Sequence, residues 1–100
     1  MMIKSPSDFL KKADKMVTTR GSQYGDFRDN FKNISHGFNQ VLNQEVKPSQ
    51  AALCMAQLKI SRLKFDDKNL DSWIDAVAYV AIAAALAQSE EKKYEVMSKL

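Results

Sequence analysis

An aliphatic stretch at residues 76–87, AVAYVAIAAALA, constrains the fold more than any other part of this chain. Every residue in it is aliphatic except Tyr79. A helix that is apolar on all sides must also be covered on all sides. The stretch therefore predicts a central helix over about residues 70–89. Because three partner helices in a chain of 100 residues would scarcely cover it, we expect a homo-oligomer that associates through this alanine-rich helix.

The rest of the chain predicts three further helices and no strands. Only three glycines and two prolines occur, and no alternating pattern of a strand is present. The segment SPSD from Ser5 to Asp8 is a helix start with the residues of a capping box, and we expect that helix to end near residue 19 or 20. The second helix is predicted over about residues 26–43. The third is predicted to start at a Ser49 cap and to end near Phe65.

These patterns predict one all-α domain over residues 1–100, built as a four-helix bundle. Residues 90–100 are charged and weakly periodic, and they form either a short fifth helix or a frayed tail. Apolar residues at steps of three and four predict the core-facing sides of the first three helices. These residues are Phe9, Leu10, Ala13, Met16, Val17, Phe27, Phe31, Ile34, Phe38, Val41, Leu42, Leu53, Ala56, Ile60 and Leu63.

Composition narrows the classes of function. The net charge of +3 is modest, so binding of nucleic acid is not favoured. No signal peptide is evident, and the stretch at residues 76–87 is shorter than the ~20 residues of a membrane span. We therefore expect a cytoplasmic protein that is not in a membrane. The single cysteine, Cys54, and Trp73 are expected in the core, and the single histidine, His36, at the surface or behind a binding site.

Two aspartates in the fourth helix form the clearest candidate site. Asp71 and Asp75 are one turn apart, and Tyr79 is one turn further on. Paired carboxylates suit Mg²⁺, which is usually held by one or two of them together with phosphate oxygens. Lys59 and Arg62, on one side of the third helix, would supply contacts to phosphate. In the alternative interpretation, the aspartates favour the helix dipole and pair with Lys59 and Arg62 as scaffold.

Three segments taken together resemble a family of small phage and prophage proteins: RGSQYGDFRDNF at residues 20–31, MAQLKISRLKF at 55–65 and DSWIDAVAYVA at 71–81. The resemblance extends over residues 20–87. That family is in turn similar to a branch of the all-α MazG-type nucleoside triphosphate pyrophosphohydrolases, which are helical oligomers that bind nucleotide phosphates through Mg²⁺. The resemblance therefore implies a MazG-like bundle that is completed by oligomerisation.

The resemblance also implies roles for individual residues. Asp71 and Asp75 match the later acidic motif, and Lys59 and Arg62 match the basic helix between. Independently of the resemblance, a tight turn at Gly25 predicts that Tyr24 and Asp26 lie near the Asp71–Asp75 stripe, where Asp26 would join the metal shell and Tyr24 would stack on a base. Arg20, Lys59, Arg62 and Tyr79 would complete a nucleotide and phosphate site. The chain departs from the active enzymes at their earlier Glu-x-x-Glu motif, where it has Asp26, Asp29, Asn30 and Asn33 instead.

Three functions remain open from the sequence. The first is a phage-type homo-oligomer that binds a phosphorylated nucleotide, a role that includes sequestering a nucleotide or a nucleotide immune messenger in the host bacterial cytoplasm. The second is a Mg²⁺-dependent nucleoside triphosphate pyrophosphohydrolase, which the missing glutamates disfavour. The third is an interaction protein that binds no nucleotide.

Overall fold

A computed structural model describes residues 3–90, apart from the side chain of Tyr24. It has four α-helices in chain order, α1 (Pro6–Tyr24), α2 (Phe27–Leu42), α3 (Pro48–Phe65) and α4 (Leu70–Ser89). No strand is present in residues 3–90. The predicted all-α fold is confirmed. Because residues 91–100 lie outside the described residues, the alternatives of a fifth helix and a frayed tail stay open.

The first helix starts as predicted but continues further. Ser5 and Asp8 form a reciprocal capping box, and hydrogen bonding to Ser5 lowers the pKa of Asp8 below its ordinary value. The predicted end near residue 19 or 20 is wrong, because the helix runs through Gly21 to Tyr24. Gly25 ends it with a φ of 88°, a conformation that favours glycine, and donates its N–H to the carbonyl of Gly21.

The ends of α2 match the sequence, whereas the start of α3 does not. The Asp26 side chain caps α2, and Asn43 ends it in the left-handed conformation. The cap of α3 is Lys47 rather than Ser49. Ser49 instead donates its backbone N–H and its hydroxyl to the carboxylate of Glu90, just after α4. This contact joins the first turn of α3 to the end of α4.

The central helix is α4, which packs against α3 on one side and α1 on the other, while α2 packs mainly on α3. The core contains many small residues, which permit close approach of α3 and α4. Its buried members are Phe31, Val46, Ala51, Ala52, Ala83 and Leu86. The prediction of α4 as the central helix therefore agrees with the packing.

Burial does not follow all of the sequence pattern. The pattern predicts Leu53, Ile60, Leu10, Val41 and Leu42 in the core, but all five are exposed. Those on α3 lie one position beyond the buried row formed by Ala52, Ala56 and Leu63, so that they flank the contact with α4.

Two single residues also differ from their predicted positions. Cys54 is exposed rather than in the core, because it lies between Ala52 and Ala56 on the opposite side of α3. Trp73 is 42% exposed and donates its indole N–H to the carbonyl of Asp67. His36 is at the surface, which is one of its two predicted positions.

Within residues 3–90, the fourth helix is buried on its inner side and largely exposed on its outer side. Only 33% of its most apolar 18-residue window is buried within the described chain. At 20 residues and a mean hydropathy of 1.5 in that window, α4 is long and apolar enough to cross a membrane by length and composition. Core helices of soluble proteins meet the same criterion, so this property does not distinguish a membrane helix from a core helix.

The two phenylalanines with opposite burial provide a test of the core. Phe31 is 2% exposed and Phe65 is 96% exposed. Phe31→Ala should lower the free energy of unfolding by about 3–5 kcal/mol, because it leaves a cavity in the core. Phe65→Ala, the matched control, should change it by less than about 0.5 kcal/mol. Urea unfolding followed by circular dichroism measures both, and equal losses would contradict this packing.

Candidate functional site

The carboxylate of Asp75 lies at the meeting point of three helices. Asp75 is on the inner side of α4 and is 8% exposed. Its Oδ2 is 3.0 Å from Nζ of Lys59 on α3, and its Oδ1 is 3.6 Å from a guanidinium nitrogen of Arg20 on α1. A single carboxylate therefore contacts one cation from each neighbouring helix.

Tyr79 extends this arrangement by one helical turn. Arg20 donates a hydrogen bond of 3.0 Å to the Tyr79 hydroxyl, and the centre of its guanidinium is 5.8 Å from the centroid of the Tyr79 ring. The Tyr79 ring in turn makes an edge-to-face contact with Phe31, with centroids 6.0 Å apart. We call Arg20, Lys59, Asp75 and Tyr79 the Asp75 cluster.

The Asp75 cluster carries more positive than negative charge. Two cations surround one carboxylate, and the side chains of Lys59 and Asp75 are only 15% and 12% exposed. The side chain of Arg20 is 43% exposed, so that part of its guanidinium faces solvent. A guanidinium has five N–H donors. With its contacts to Tyr79 and Asp75 made, Arg20 retains donors for an anion.

A small apolar cavity opens beside Arg20. It has a volume of about 70 Å³ and lies between α1, α2 and α4. That volume accommodates a few water molecules or one edge of a small ring. Three aromatic side chains and two polar ones stand among its walls, and these are Phe27, Phe31, Tyr79, Arg20 and Asn30. Gly25, which ends α1, also lines this cavity. The turn at Gly25 therefore lies next to Tyr79, the last residue of the Asp71, Asp75 and Tyr79 series on α4.

An open groove lies on the other side of Arg20. Its volume is about 420 Å³, and we call it the basic groove. Lys12, Lys15 and Arg20 of α1 contribute three positive charges, and Asp71 of α4 contributes one negative charge. Thr19 and Gln23 add neutral polar groups. The groove shares Met16 and Arg20 with the apolar cavity, and Arg20 is the charged one of the two.

The structure separates residues that the sequence pattern groups together. Lys59 contacts Asp75, but Arg62 lies near the end of α3, on a shallow surface formed with Ser61, Phe65, Asp66 and Asn69. Arg62 lies on the same side of α3 as Lys59, but it is three residues, or about 4.5 Å, further along the helix axis. Asp71 is exposed at the basic groove, one turn from the buried Asp75.

The predicted metal shell of three carboxylates is not assembled. Within residues 3–90, no group of three or more His, Cys, Asp or Glu side chains is placed to hold a metal ion. Asp26 accepts the N–H of Arg28 as the cap of α2, and its Oδ1 is 3.7 Å from the Arg28 guanidinium. The Tyr24 side chain, predicted to stack on a base, lies outside the described residues.

Sequence reasoning missed several residues around Arg20. Lys12 and Lys15 were not among the predicted site residues, yet they share one groove with Arg20. Their spacing of three, and the spacing of four between Lys15 and Thr19, place these residues on neighbouring positions of one helix side. Asn30 lines the apolar cavity. No signal in the sequence shows which of the polar residues in the second helix reaches a cavity.

Comparison with known proteins gives the family of this chain. The family described as "Domain of unknown function (DUF6378)" matches residues 8–87. The chain is a member of the DUF6378 family. Residues 8–87 include all of α2 and α3, most of α1 and α4, and every member of the Asp75 cluster.

A phage protein is similar to this DUF6378 chain. The Gene 55 protein of Mycobacterium phage D29 is 32% identical to it over 71 residues, which cover 70% of this chain and 47% of the phage protein. The chain thus spans about half the length of the curated relative it matches. No solved structure matches the DUF6378 chain. Together, the family and this relative support a small phage protein of unknown function.

The burial of Asp75 gives a prediction about stability. Asp75→Asn removes the charge that Lys59, whose side chain is 15% exposed, contacts. It should lower the free energy of unfolding by about 3 kcal/mol, because breaking a largely buried pair from one side leaves an uncompensated charge. Asp71→Asn is the matched control, since Asp71 is exposed on the same helix, and it should cost less than about 0.5 kcal/mol. Thermal unfolding would contradict this account if the two variants lost equal stability.

Proposed function

We propose that this DUF6378 chain binds a phosphorylated nucleotide at Arg20, with the phosphates in the basic groove and an edge of the base at the apolar cavity. The observation that carries this proposal is the position of Arg20, which lines both spaces. A nucleotide has an anionic part joined to a flat, partly apolar part. Arg20 stands between the two spaces, and its spare N–H donors face the point where the phosphates and the base would be joined.

The charge of the site supports an anionic ligand. Lys59 and Arg20 together exceed the charge of Asp75 by one positive unit, and Lys12 and Lys15 add to it in the basic groove. Asp75 also orients the guanidinium before a ligand arrives, because it contacts one nitrogen while the Tyr79 hydroxyl accepts from another. A positioned arginine binds phosphate through two parallel hydrogen bonds.

The walls of the cavity support the assignment of the base. Phe27, Phe31 and Tyr79 present aromatic surface, and the amide of Asn30 offers both a donor and an acceptor. Aromatic surface with few polar groups is typical of small-molecule sites. The resemblance of the sequence to MazG-type proteins points to the same class of ligand.

Binding without hydrolysis fits the described residues better than turnover. Hydrolysis with several metal ions requires more carboxylates than a groove with Asp71 alone supplies, and both oxygens of Asp75 already contact cations. If Mg²⁺ arrives with the nucleotide, Asp71 is the carboxylate in place to contact it. The biological role would then be to sequester a nucleotide in the host cytoplasm.

Exchange of one arginine tests the proposal. Arg20→Lys keeps the charge but loses the planar fork, so the affinity for ATP should fall about tenfold, equivalent to ~1.4 kcal/mol. Arg28→Lys is the matched control, because Arg28 is an exposed arginine that pairs locally with Asp26. Isothermal titration calorimetry measures both affinities, with Mg²⁺ and without it.

Comparing ligands with and without phosphate distinguishes the contribution of the basic groove from that of the apolar cavity. Adenosine, which lacks phosphate, should bind much more weakly than ATP. Chromatography of the nucleotide after incubation should return it intact. If ATP and related nucleotides do not bind, or if Arg20→Lys binds as tightly as the unchanged protein, the proposal is wrong. Mg²⁺-dependent loss of the nucleotide would instead indicate a pyrophosphohydrolase.

A further inference from the structure

A stripe of apolar residues runs along the outer side of α4. Trp73 and Val80 are 42% and 47% exposed, Val77 is half-buried, and Ala84 and Ala87 are exposed. We call these five residues the outer stripe. No charged residue occurs between Asp75 and Glu90, so nothing in that part of the stripe favours water. Exposed apolar surface of this extent marks a contact site more often than a free surface.

The spacing of the outer stripe is regular. Its members follow steps of four, three, four and three residues, which is the spacing of the contact positions in paired helices. At 1.5 Å per residue the stripe is about 21 Å long. The side chains become smaller along the outer stripe, since its first half holds Trp73, Val77 and Val80 and its second half holds Ala84 and Ala87.

We infer that the outer stripe pairs with the same stripe of a second copy, in antiparallel orientation about a twofold axis at Val80. In this register Trp73 lies opposite Ala87 of the second copy, and Val77 lies close to Ala84. The large residues towards either end then face small ones, while the two Val80 side chains meet at the axis, as a well-packed contact permits. A twofold contact is self-complementary by construction, because each residue pair occurs twice.

A parallel pair would lack this match. It would place Trp73 against Trp73 at one end and Ala87 against Ala87 at the other, so that the helices could not stay close along their length. The antiparallel pair also brings the start of each α4 next to the end of the other, where the helix dipoles attract. The size gradient thus decides between the two orientations.

The available area is sufficient for a dimer. Because α4 contacts both α1 and α3, a face that spans all three helices is about three helix diameters wide. Three helices at ~10 Å each and a length of ~21 Å give roughly 600 Å² of flat outline per copy. Two copies reach the lower range of stable interfaces, which bury about 1,200–2,000 Å² in total.

Cross-linking of the full chain tests the register. Cysteines are introduced in a Cys54→Ser background, which removes the exposed native thiol, and are joined by a short bismaleimide. Val80→Cys should give covalent dimers by itself, because the two positions meet at the axis. Trp73→Cys alone should not, since its two positions are about 21 Å apart. A mixture of Trp73→Cys and Ala87→Cys chains should give dimers.

Sedimentation of the protein without introduced cysteines provides the second measurement. The unchanged chain should be a dimer at micromolar concentration, and Ala84→Asp should make it a monomer by adding a charge to the outer stripe. Ser61→Asp adds the same charge at an exposed position of α3 and should leave the dimer intact.

Three results would overturn the inference. The first is that the unchanged chain is a monomer, whether or not it binds phosphatidylcholine vesicles. The second is that Ala84→Asp does not dissociate the dimer. The third is that Trp73→Cys cross-links efficiently by itself. None of them bears on nucleotide binding, because the Asp75 cluster lies within one copy.

Discussion

The contact on which this fold depends is the sharing of one carboxylate by two cations from different helices. Asp75 is the one acidic residue among the buried side chains of α4, and it contacts Lys59 of α3 and Arg20 of α1. Apolar packing alone holds helices together without fixing how far one slides along the next. Charge contacts at 3.0 and 3.6 Å fix both neighbours against one point of α4. Burying these charges costs desolvation energy, which good geometry must offset.

The same contact gives the two sides of α4 different properties. The inner side has the buried carboxylate and small residues such as Ala76 and Ala83, which admit neighbouring helices. The outer side has no charge between Asp75 and Glu90 and is exposed in the part of the chain that the structure describes. Within residues 3–90, the Asp75 cluster has one carboxylate for two cations, so that one positive charge remains available to an anion. The proposed ligand site and the proposed self-association surface therefore lie on opposite sides of one helix.

The sequence was sufficient to predict the four helices and the acidic and aliphatic character of α4, but not to predict all the residues that contact Asp75. Helix starts are local, so the capping box at Ser5 could be read directly from the sequence, although the predicted Ser49 cap of α3 was wrong. The pairing of Lys59 with the acidic stripe was also predicted. Arg20 is 55 positions from Asp75, and only the packing of α1 against α4 brings the two together. Resemblance to a family indicates Arg20, but the residues alone do not.

The errors have a common physical origin. A pattern of apolar residues predicts which side of a helix is buried, but the width of the buried side depends on how many other helices pack against that helix. Leu53 and Ile60 lie beyond the edge of the α3–α4 contact, and Trp73 lies on the outer side of α4. Arg62 is one turn beyond the point where Lys59 contacts Asp75, and Asp26 caps its own helix. Such outcomes follow from tertiary packing rather than from local spacing.

A double-mutant cycle between Lys59 and Asp75 tests the central contact most directly. The free energies of unfolding are measured for the unchanged protein, Lys59→Met, Asp75→Asn and the double variant. If the buried pair holds α3 against α4, the double variant should lose less stability than the two single losses combined, with a coupling of at least about 1 kcal/mol. Losses that add to within about 0.3 kcal/mol would show that the two residues do not interact, and the central role of the Asp75 carboxylate in this fold would be contradicted.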